Sequence, residues 1–176
     1  MNARRTLILG GVRSGKSRLA ERLARESGLA VTYIATAQAG DAEMAARIAA
    51  HRARRPAHWH LREESLHLAA ALQAEAVEDR CLLVDCLTLW LTALLTQPDE
   101  ALPEREIQAL LDALPRLPGR LLLVSNETNM GVTPLGELSR RYCDLAGELH
   151  QALSQQCDQV ILTIAGLPQI LKGEPL

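Results

Sequence analysis

A chain of 176 residues carries one full core and is too short for two, and 48% apolar with 23% charged residues is the balance of an ordinary globular domain. The formal net charge of −2 gives no general drive toward nucleic acid or acidic membranes. Two Trp, two Tyr and no Phe leave little for a base-stacking surface, so the core must be built from Leu, Ile, Val and Ala.

Two further exclusions follow from the apolar runs and the thiols. No apolar run approaches the roughly 18 residues of a membrane-spanning helix; the longest, Leu87 to Leu95, is broken by Thr88 and Thr92. Leu7-Ile8-Leu9 is too short for the apolar core of a secretion signal. Cys81, Cys86, Cys143 and Cys157 show no C-x-x-C and no histidine at zinc-finger spacing, so they read as buried reduced thiols, and a cytoplasmic compartment is expected.

Taken in order, Thr6 to Leu9 is a short apolar strand. It runs into Gly10-Gly11-Val12-Arg13-Ser14-Gly15-Lys16-Ser17, which has the spacing G-x-x-x-x-G-K-[ST] of a P-loop. Gly10 and Gly15 let the backbone turn tightly and bring its N–H groups to phosphate oxygens. Lys16 supplies a positive charge between the β- and γ-phosphates, and the Ser17 hydroxyl can ligate Mg²⁺. Ser17 to Glu26 reads as an amphipathic helix whose N-terminal dipole faces the phosphates.

Val31 to Ala35 is a second strand, and Thr36-Ala37-Gln38-Ala39-Gly40 a loop. Asp41 caps a helix predicted to run to about Arg54, with Met44, Ala45, Ile48 and Ala49 on one face and Glu43, Arg47 and His51 on another. Pro56 stops it. Trp59 to Arg62 is extended and leads into Glu63-Glu64. Ser65 caps a helix to about Glu78. Cys81 to Val84 is a third strand, closed by Asp85; Leu87 to Leu95 is an apolar helix and Gln97 to Glu100 a turn. Pro103 suits the first turn of a helix ending near Leu114, with Pro115, Pro118 and Gly119 beyond it. Arg120 to Ser125 is a fourth strand, Asn126 to Pro134 a polar loop, Leu135 to about Cys157 a long helix, and Val160 to Ala165 a fifth strand. Gly166 to Leu176 reads as a short tail. There is no internal repeat or linker. Continuously apolar strands alternating with helices predict one α/β domain over residues 1–176, with a mostly parallel sheet covered on both faces.

In such a sheet ligands bind outside the carboxyl ends of the strands. Three polar clusters lie there around the P-loop: Thr36 to Gln38, Asp85, and Ser125-Asn126-Glu127. Asp85 matches a Walker B acid that holds Mg²⁺ through water; alternatively it caps the helix that follows. Glu127 is a weaker rival for the metal. His51 is either a solvated helix-face histidine or a nucleophile, since neutral imidazole is competent near pH 7. Arg52, Arg54 and Arg55, around Ala53, either meet triphosphate oxygens or sit at a solvated helix end favoured by its dipole. His58, His60 and His67 match no zinc template, and His150 reads as a partly exposed helix residue.

Several separated stretches resemble one family. GGVRSGKSRLAE, YIATAQAGDAEMAARIAAHRARRPAHW, LLVDCLTLWLTALL, VSNETNMGVTP and VILTIAGLPQILKG are similar to the bifunctional adenosylcobinamide kinase / adenosylcobinamide-phosphate guanylyltransferase of cobalamin biosynthesis. The R-I-x-x-H-x-x-R-R-P segment and the N-E-x-x-x-G-x-x-P loop are the specific parts. The resemblance extends from Leu7 to Lys172.

The resemblance implies a P-loop NTPase with a RecA-like α/β fold, assembled as a homotrimer. It implies phosphorylation of adenosylcobinamide with ATP or GTP, then transfer of GMP from GTP to adenosylcobinamide phosphate through a GMP–histidine intermediate. The histidine would be His51. Nucleotide contacts carry over to Gly10 through Ser17, to Thr36, Ala37 and Gln38, to Arg52, Ala53, Arg54 and Arg55, and to Glu63 and Asp85, with Lys16 catalytic and Ser17 and Asp85 at the metal. No nucleic-acid partner is expected. The sequence departs at Thr128-Asn129, where the family usually has Val-Gly; if the backbone at Asn129 needs positive φ, asparagine is the least costly substitute. Some members have a second histidine where Ala50 stands, which leaves His51 as the sole candidate. A single-activity P-loop kinase and a non-catalytic nucleotide-binding module remain the competing readings.

Overall fold

The computed structural model describes residues 4–37, 49 and 55–176. The helix predicted over 41–54 therefore lies outside the described residues, except for Ala49. Among the described residues, seven strands form one sheet: β1 (Arg5–Gly10), β2 (Ala30–Ala35), β3 (His60–Glu63), β4 (Arg80–Asp85), β5 (Arg120–Val124), β6 (Gln159–Ile164) and β7 (Leu167–Lys172). Their order is β3-β2-β4-β5-β1-β6-β7. Every pairing is parallel except β6 with β7. The described helices are α1 (Lys16–Glu26), α2 (Leu68–Glu75), α3 (Leu87–Leu95), α4 (Leu102–Ala113) and α5 (Glu137–Gln156).

The central strands are apolar along their length because successive side chains point to opposite faces and both faces are covered. Ile8, Tyr33, Leu83, Val124 and Ile161 pack with Leu19, Ala20, Leu23 and Ala24 of α1. Their neighbours Leu7, Leu9, Ile34, Leu82, Val84, Leu121 and Leu123 pack on the other face, against Leu68 and Leu72 of α2, Trp90 and Leu94 of α3, Leu110 of α4 and Leu149 and Leu153 of α5. Trp90, fully buried, satisfies its one polar atom by donating Nε1–H to the Leu66 carbonyl at 2.8 Å.

Two local expectations are corrected. Residues after Gly166 are not a tail: Ala165 (φ 52°) and Gly166 (φ 82°) make a two-residue turn with both residues left-handed, and Leu167–Lys172 returns antiparallel on β6. Ser65 does not cap α2. The Glu64 carboxylate does the pinning instead, accepting from the N–H groups of Leu66 and His67, each at 2.9 Å.

Candidate active site

The P-loop leaves β1 at Gly10 and enters α1 at Lys16. Gly10 has φ 152°, and a Cβ there would lie 2.4 Å from the Thr163 carbonyl of β6 and 2.6 Å from Ser14 Oγ. Gly15 has φ 101°, with Gly166 Cα at 3.1 Å from its Cβ position. Arg13 is also left-handed, at φ 56°. The loop is pinned at both ends. The Glu127 N–H donates to the Gly10 carbonyl (2.9 Å), and the Gly166 N–H donates to the Ser14 carbonyl (2.8 Å). Inside, the Ser14 N–H bonds to the Gly11 carbonyl at 3.2 Å. Gly11, Val12 and Arg13 are exposed, Ser14 and Lys16 buried, Ser17 half-buried on the first turn of α1.

The Lys16 ammonium donates to the Gly11 carbonyl at 2.6 Å, curled into the loop. Burial lowers its pKa from the ordinary lysine value, while Cys86 and Asp85 pull the other way. A buried cation at the N-terminus of α1 is a site that gains by receiving a polyanion.

Register sets the remaining polar residues along the same edge. Glu63 pairs with Ala35, Ala35 with Asp85, and Asp85 with Val124, which is level with Ile8 just before the P-loop. The ends of β3, β2, β4, β5 and β1 thus form one row, with Glu63 exposed and Asp85 half-buried. The helix-cap reading of Asp85 fails, because the N-cap of α3 is Cys86. Its Oδ2 instead accepts from the Tyr33 hydroxyl at 2.9 Å. Burial, then the neighbouring Asp85 charge, raises the Tyr33 pKa far above the ordinary phenol value, so the hydroxyl remains a donor. Arg55 lies over the Tyr33 ring, 3.8 Å from its centroid. Tyr33 thereby joins Asp85 to Arg55, a link sequence reasoning missed.

Thr36 has a structural task that its sequence position did not reveal. Its Oγ1 donates to the Cys86 carbonyl (2.7 Å) and accepts from the Cys86 N–H (2.8 Å), clamping the turn after Asp85. Ala37 beside it is half-buried. Gln38, His51, Arg52, Ala53 and Arg54 lie outside the described residues.

Of the three histidines that match no zinc template, two face separate carboxylates. His67 Nδ1 is 2.9 Å from Glu106 Oε1, His60 Nε2 is 3.9 Å from Glu75 Oε1, and His58 is exposed. His150 is not partly exposed but buried, with Nε2 2.8 Å from Ser125 Oγ. The periodicity held the signal: His150 is four residues beyond the buried Ala146 on α5, and so on its core face. Nor does Asn129 have positive φ. Its Nδ2 donates to the Cys143 carbonyl at 2.8 Å and packs beside Gly147, tying the loop to α5.

The thiols show no disulfide: Cys81 and Cys157 are buried, Cys86 and Cys143 half-buried. Burial pushes Cys81 and Cys86 up to about 11 and Cys157 to about 12, so these three are poor nucleophiles.

Solved structures with the same architecture are distant in sequence and speak to the fold alone. An ATPase from a type III secretion system of pathogenic bacteria matches with TM-score 0.54 at 13% identity, covering 90% of this chain and 50% of that one. The RadB recombinase matches with TM-score 0.51 at 20% identity, covering 90% and 73%. Both are consistent with a RecA-like P-loop NTPase fold. Sequence relatives are much nearer. The bifunctional adenosylcobalamin biosynthesis protein CobP of Pseudomonas aeruginosa is 69% identical over 172 residues, 98% of this chain and 99% of that protein. The bifunctional adenosylcobalamin biosynthesis protein CobU of Salmonella typhimurium is 41% identical over 174 residues, 92% of this chain and 96% of that one. The model of the family described as cobinamide kinase / cobinamide phosphate guanyltransferase matches residues 6–171. With that span and those identities, this chain is a member of the cobinamide kinase / cobinamide phosphate guanyltransferase family, enzymes of adenosylcobalamin biosynthesis.

Proposed function

We propose that this chain phosphorylates adenosylcobinamide with ATP or GTP and then transfers GMP from GTP to the phosphate, giving adenosylcobinamide-GDP and pyrophosphate. What carries the reading is the P-loop set in one row with Asp85, inside a chain that matches the family model from residue 6 to residue 171. One catalytic domain over 1–176 would serve both steps, in the cytoplasm and as a homotrimer, without nucleic acid. Among the described residues no helix is long and apolar enough to cross a membrane.

The backbone amides of the P-loop and the Lys16 ammonium, which now donates to the Gly11 carbonyl, would turn to β- and γ-phosphate oxygens. With them held, the acceptor hydroxyl reaches the γ-phosphorus in the first step. In the second, His51 attacks the α-phosphorus and forms a P–N bond. The α–β phosphoanhydride bond breaks, and pyrophosphate leaves with its charge against Lys16. The acceptor phosphate then displaces His51. Thr36 to Gln38, Arg52 to Arg55 and Glu63 would contact the nucleotide. The donors fit Mg²⁺, a hard cation that prefers oxygen. The Ser17 hydroxyl sits at the head of α1, and the Asp85 carboxylate has capacity beyond its bond from Tyr33. When bound, the ion would neutralise phosphate charge.

Incubation with α-labelled GTP tests the reading. It should give an acid-labile, base-stable protein adduct that is absent in His51→Ala, while His51→Ala keeps ATP-dependent phosphorylation of adenosylcobinamide. Lys16→Ala should impair both steps. An undiminished adduct in His51→Ala would sink the assignment of the nucleophile. No adduct in the parent chain would favour a single-activity kinase.

A further inference from the structure

The loop after β5 carries a polar cluster that the reading above leaves without a task. β5 lies between β1, which bears the P-loop, and β4, which bears Asp85. Whatever leaves its carboxyl end therefore emerges between the phosphate loop and the metal acid. What leaves is Ser125-Asn126-Glu127. The Glu127 N–H is bonded to the Gly10 carbonyl, so this residue is fastened to the first residue of the P-loop.

The Glu127 carboxylate is held from two sides. Oε1 accepts from the Asn129 N–H at 2.8 Å, and Oε2 lies 3.8 Å from His150 Nδ1. The other imidazole nitrogen is 2.8 Å from Ser125 Oγ. One tautomer serves both neighbours: the Ser125 hydroxyl donates to Nε2, and the Nδ1 proton faces Glu127. Burial lowers the His150 pKa from its ordinary value while Glu127 opposes it, in keeping with a neutral ring. Packing alone does not call for a histidine here. The position lies on the core face of α5 among Ala146, Leu149 and Leu153, where an aliphatic side chain would avoid burying ring nitrogens. The Glu127 side chain is 17% exposed, so its carboxylate is not sealed from solvent.

We propose that Glu127 is the general base of the kinase step and that His150, with Ser125, is a positioning residue that holds its carboxylate beside the P-loop. The inference rests on the kinase reading given above. In the step, the acceptor hydroxyl oxygen forms a bond to the γ-phosphorus and gives its proton to Glu127. The bond from the γ-phosphorus to the β,γ-bridging oxygen breaks, and the nucleoside diphosphate leaves with that electron pair. Guanylyl transfer needs no such base, because its acceptor is already an anionic phosphate. The two activities should therefore separate at Glu127.

The experiment measures both reactions on the same preparations of the full chain: phosphorylation of adenosylcobinamide by ATP, and GMP transfer to preformed adenosylcobinamide phosphate. Glu127→Gln is nearly isosteric and should lower the phosphorylation kcat by about 10²–10³-fold, the range of a lost general base, with the KM for ATP within about twofold. GMP transfer should stay within about threefold, a change too small for a lost catalytic group. His150→Leu should lower the same kcat by roughly tenfold, and His150→Asn, whose amide can still serve Ser125, should recover most of it. If His150→Leu does not fold, Glu127→Gln and His150→Asn carry the test. Near-normal phosphorylation by Glu127→Gln overturns the proposal. So does a parallel fall in both reactions with a raised Mg²⁺ requirement, which would make Glu127 a metal ligand. If the parent chain itself fails to phosphorylate adenosylcobinamide, the underlying reading fails and the proposal falls with it.

Discussion

Replacing Tyr33 by Phe removes a single contact from the candidate site. The ring is buried, at 4% exposure, and Phe fills the same space less one oxygen. The stack of Arg55 on the ring persists. Only the 2.9 Å hydrogen bond to Asp85 is lost. A hydrogen bond to an ionised carboxylate contributes about 1.5–3 kcal/mol. Asp85 is half-buried, so water replaces part of it, and the expected destabilisation at pH 7 is about 1–2 kcal/mol, or about 3–6 °C in Tm for a chain of this size. The pH dependence gives a second handle. The folded pKa of Tyr33 is raised by burial and by Asp85. Its contribution is therefore complete below the unfolded phenol value, about 10, and is lost as pH rises above that toward the folded value. The parent chain should weaken by up to about 1.4 kcal/mol per pH unit there from this group, and Tyr33→Phe should not. Cys81, Cys86 and Cys157 also weaken the fold at high pH, but equally in both chains, so they cancel in the difference. Urea unfolding of both chains at pH 7 and near pH 10.5 measures the gap. It should be open at pH 7 and narrower in alkali. Equal stability at pH 7, or a gap that does not change with pH, would refute the reasoning.

Two other substitutions probe features fixed by the backbone and the core. Gly10→Ala would place a Cβ 2.4 Å from a main-chain carbonyl at φ 152°, so β1 and β6 must shift; we expect a loss of about 2–4 kcal/mol in urea unfolding and weaker ATP binding by calorimetry. Trp90→Ala removes the largest fully buried side chain and leaves the Leu66 carbonyl without its donor, at a cost of about 3–5 kcal/mol, read as a lower urea midpoint with an unchanged slope.

The elements easiest to read in the sequence were those that signal locally. β1, β2, β4, β5 and β6 are apolar runs between turn residues, and the P-loop is a contiguous motif whose glycines are needed for the φ values observed at Gly10 and Gly15. β7 escaped because LPQILK, an edge strand, contains Pro168 and is mostly exposed, so neither alternation nor continuous apolarity marks it. Half of the candidate site is tertiary in origin and was illegible for that reason. Tyr33 meets Asp85 across 52 residues, Thr36 meets Cys86 across 50, and Ser125 meets His150 across 25. Each joins two strand ends, or a strand end and a helix face, that only the sheet order makes neighbours. Asp85 itself was legible as a candidate, but setting aside the helix cap required knowing which residue begins α3.

The turn between β6 and β7 has a consequence for the order in which the phosphate loop matures. Gly166 donates to Ser14, and the Thr163 carbonyl is the wall against which Gly10 is packed. The loop is spelled out by residues 10–17, yet two of its supports lie some 150 residues further along the chain. A ribosome releases the motif early and its buttress late. Until β6 has emerged and paired with β1, and the turn at Gly166 has formed, the loop lacks the contacts that fix its shape. The motif therefore takes its final shape only after some 150 further residues have been made.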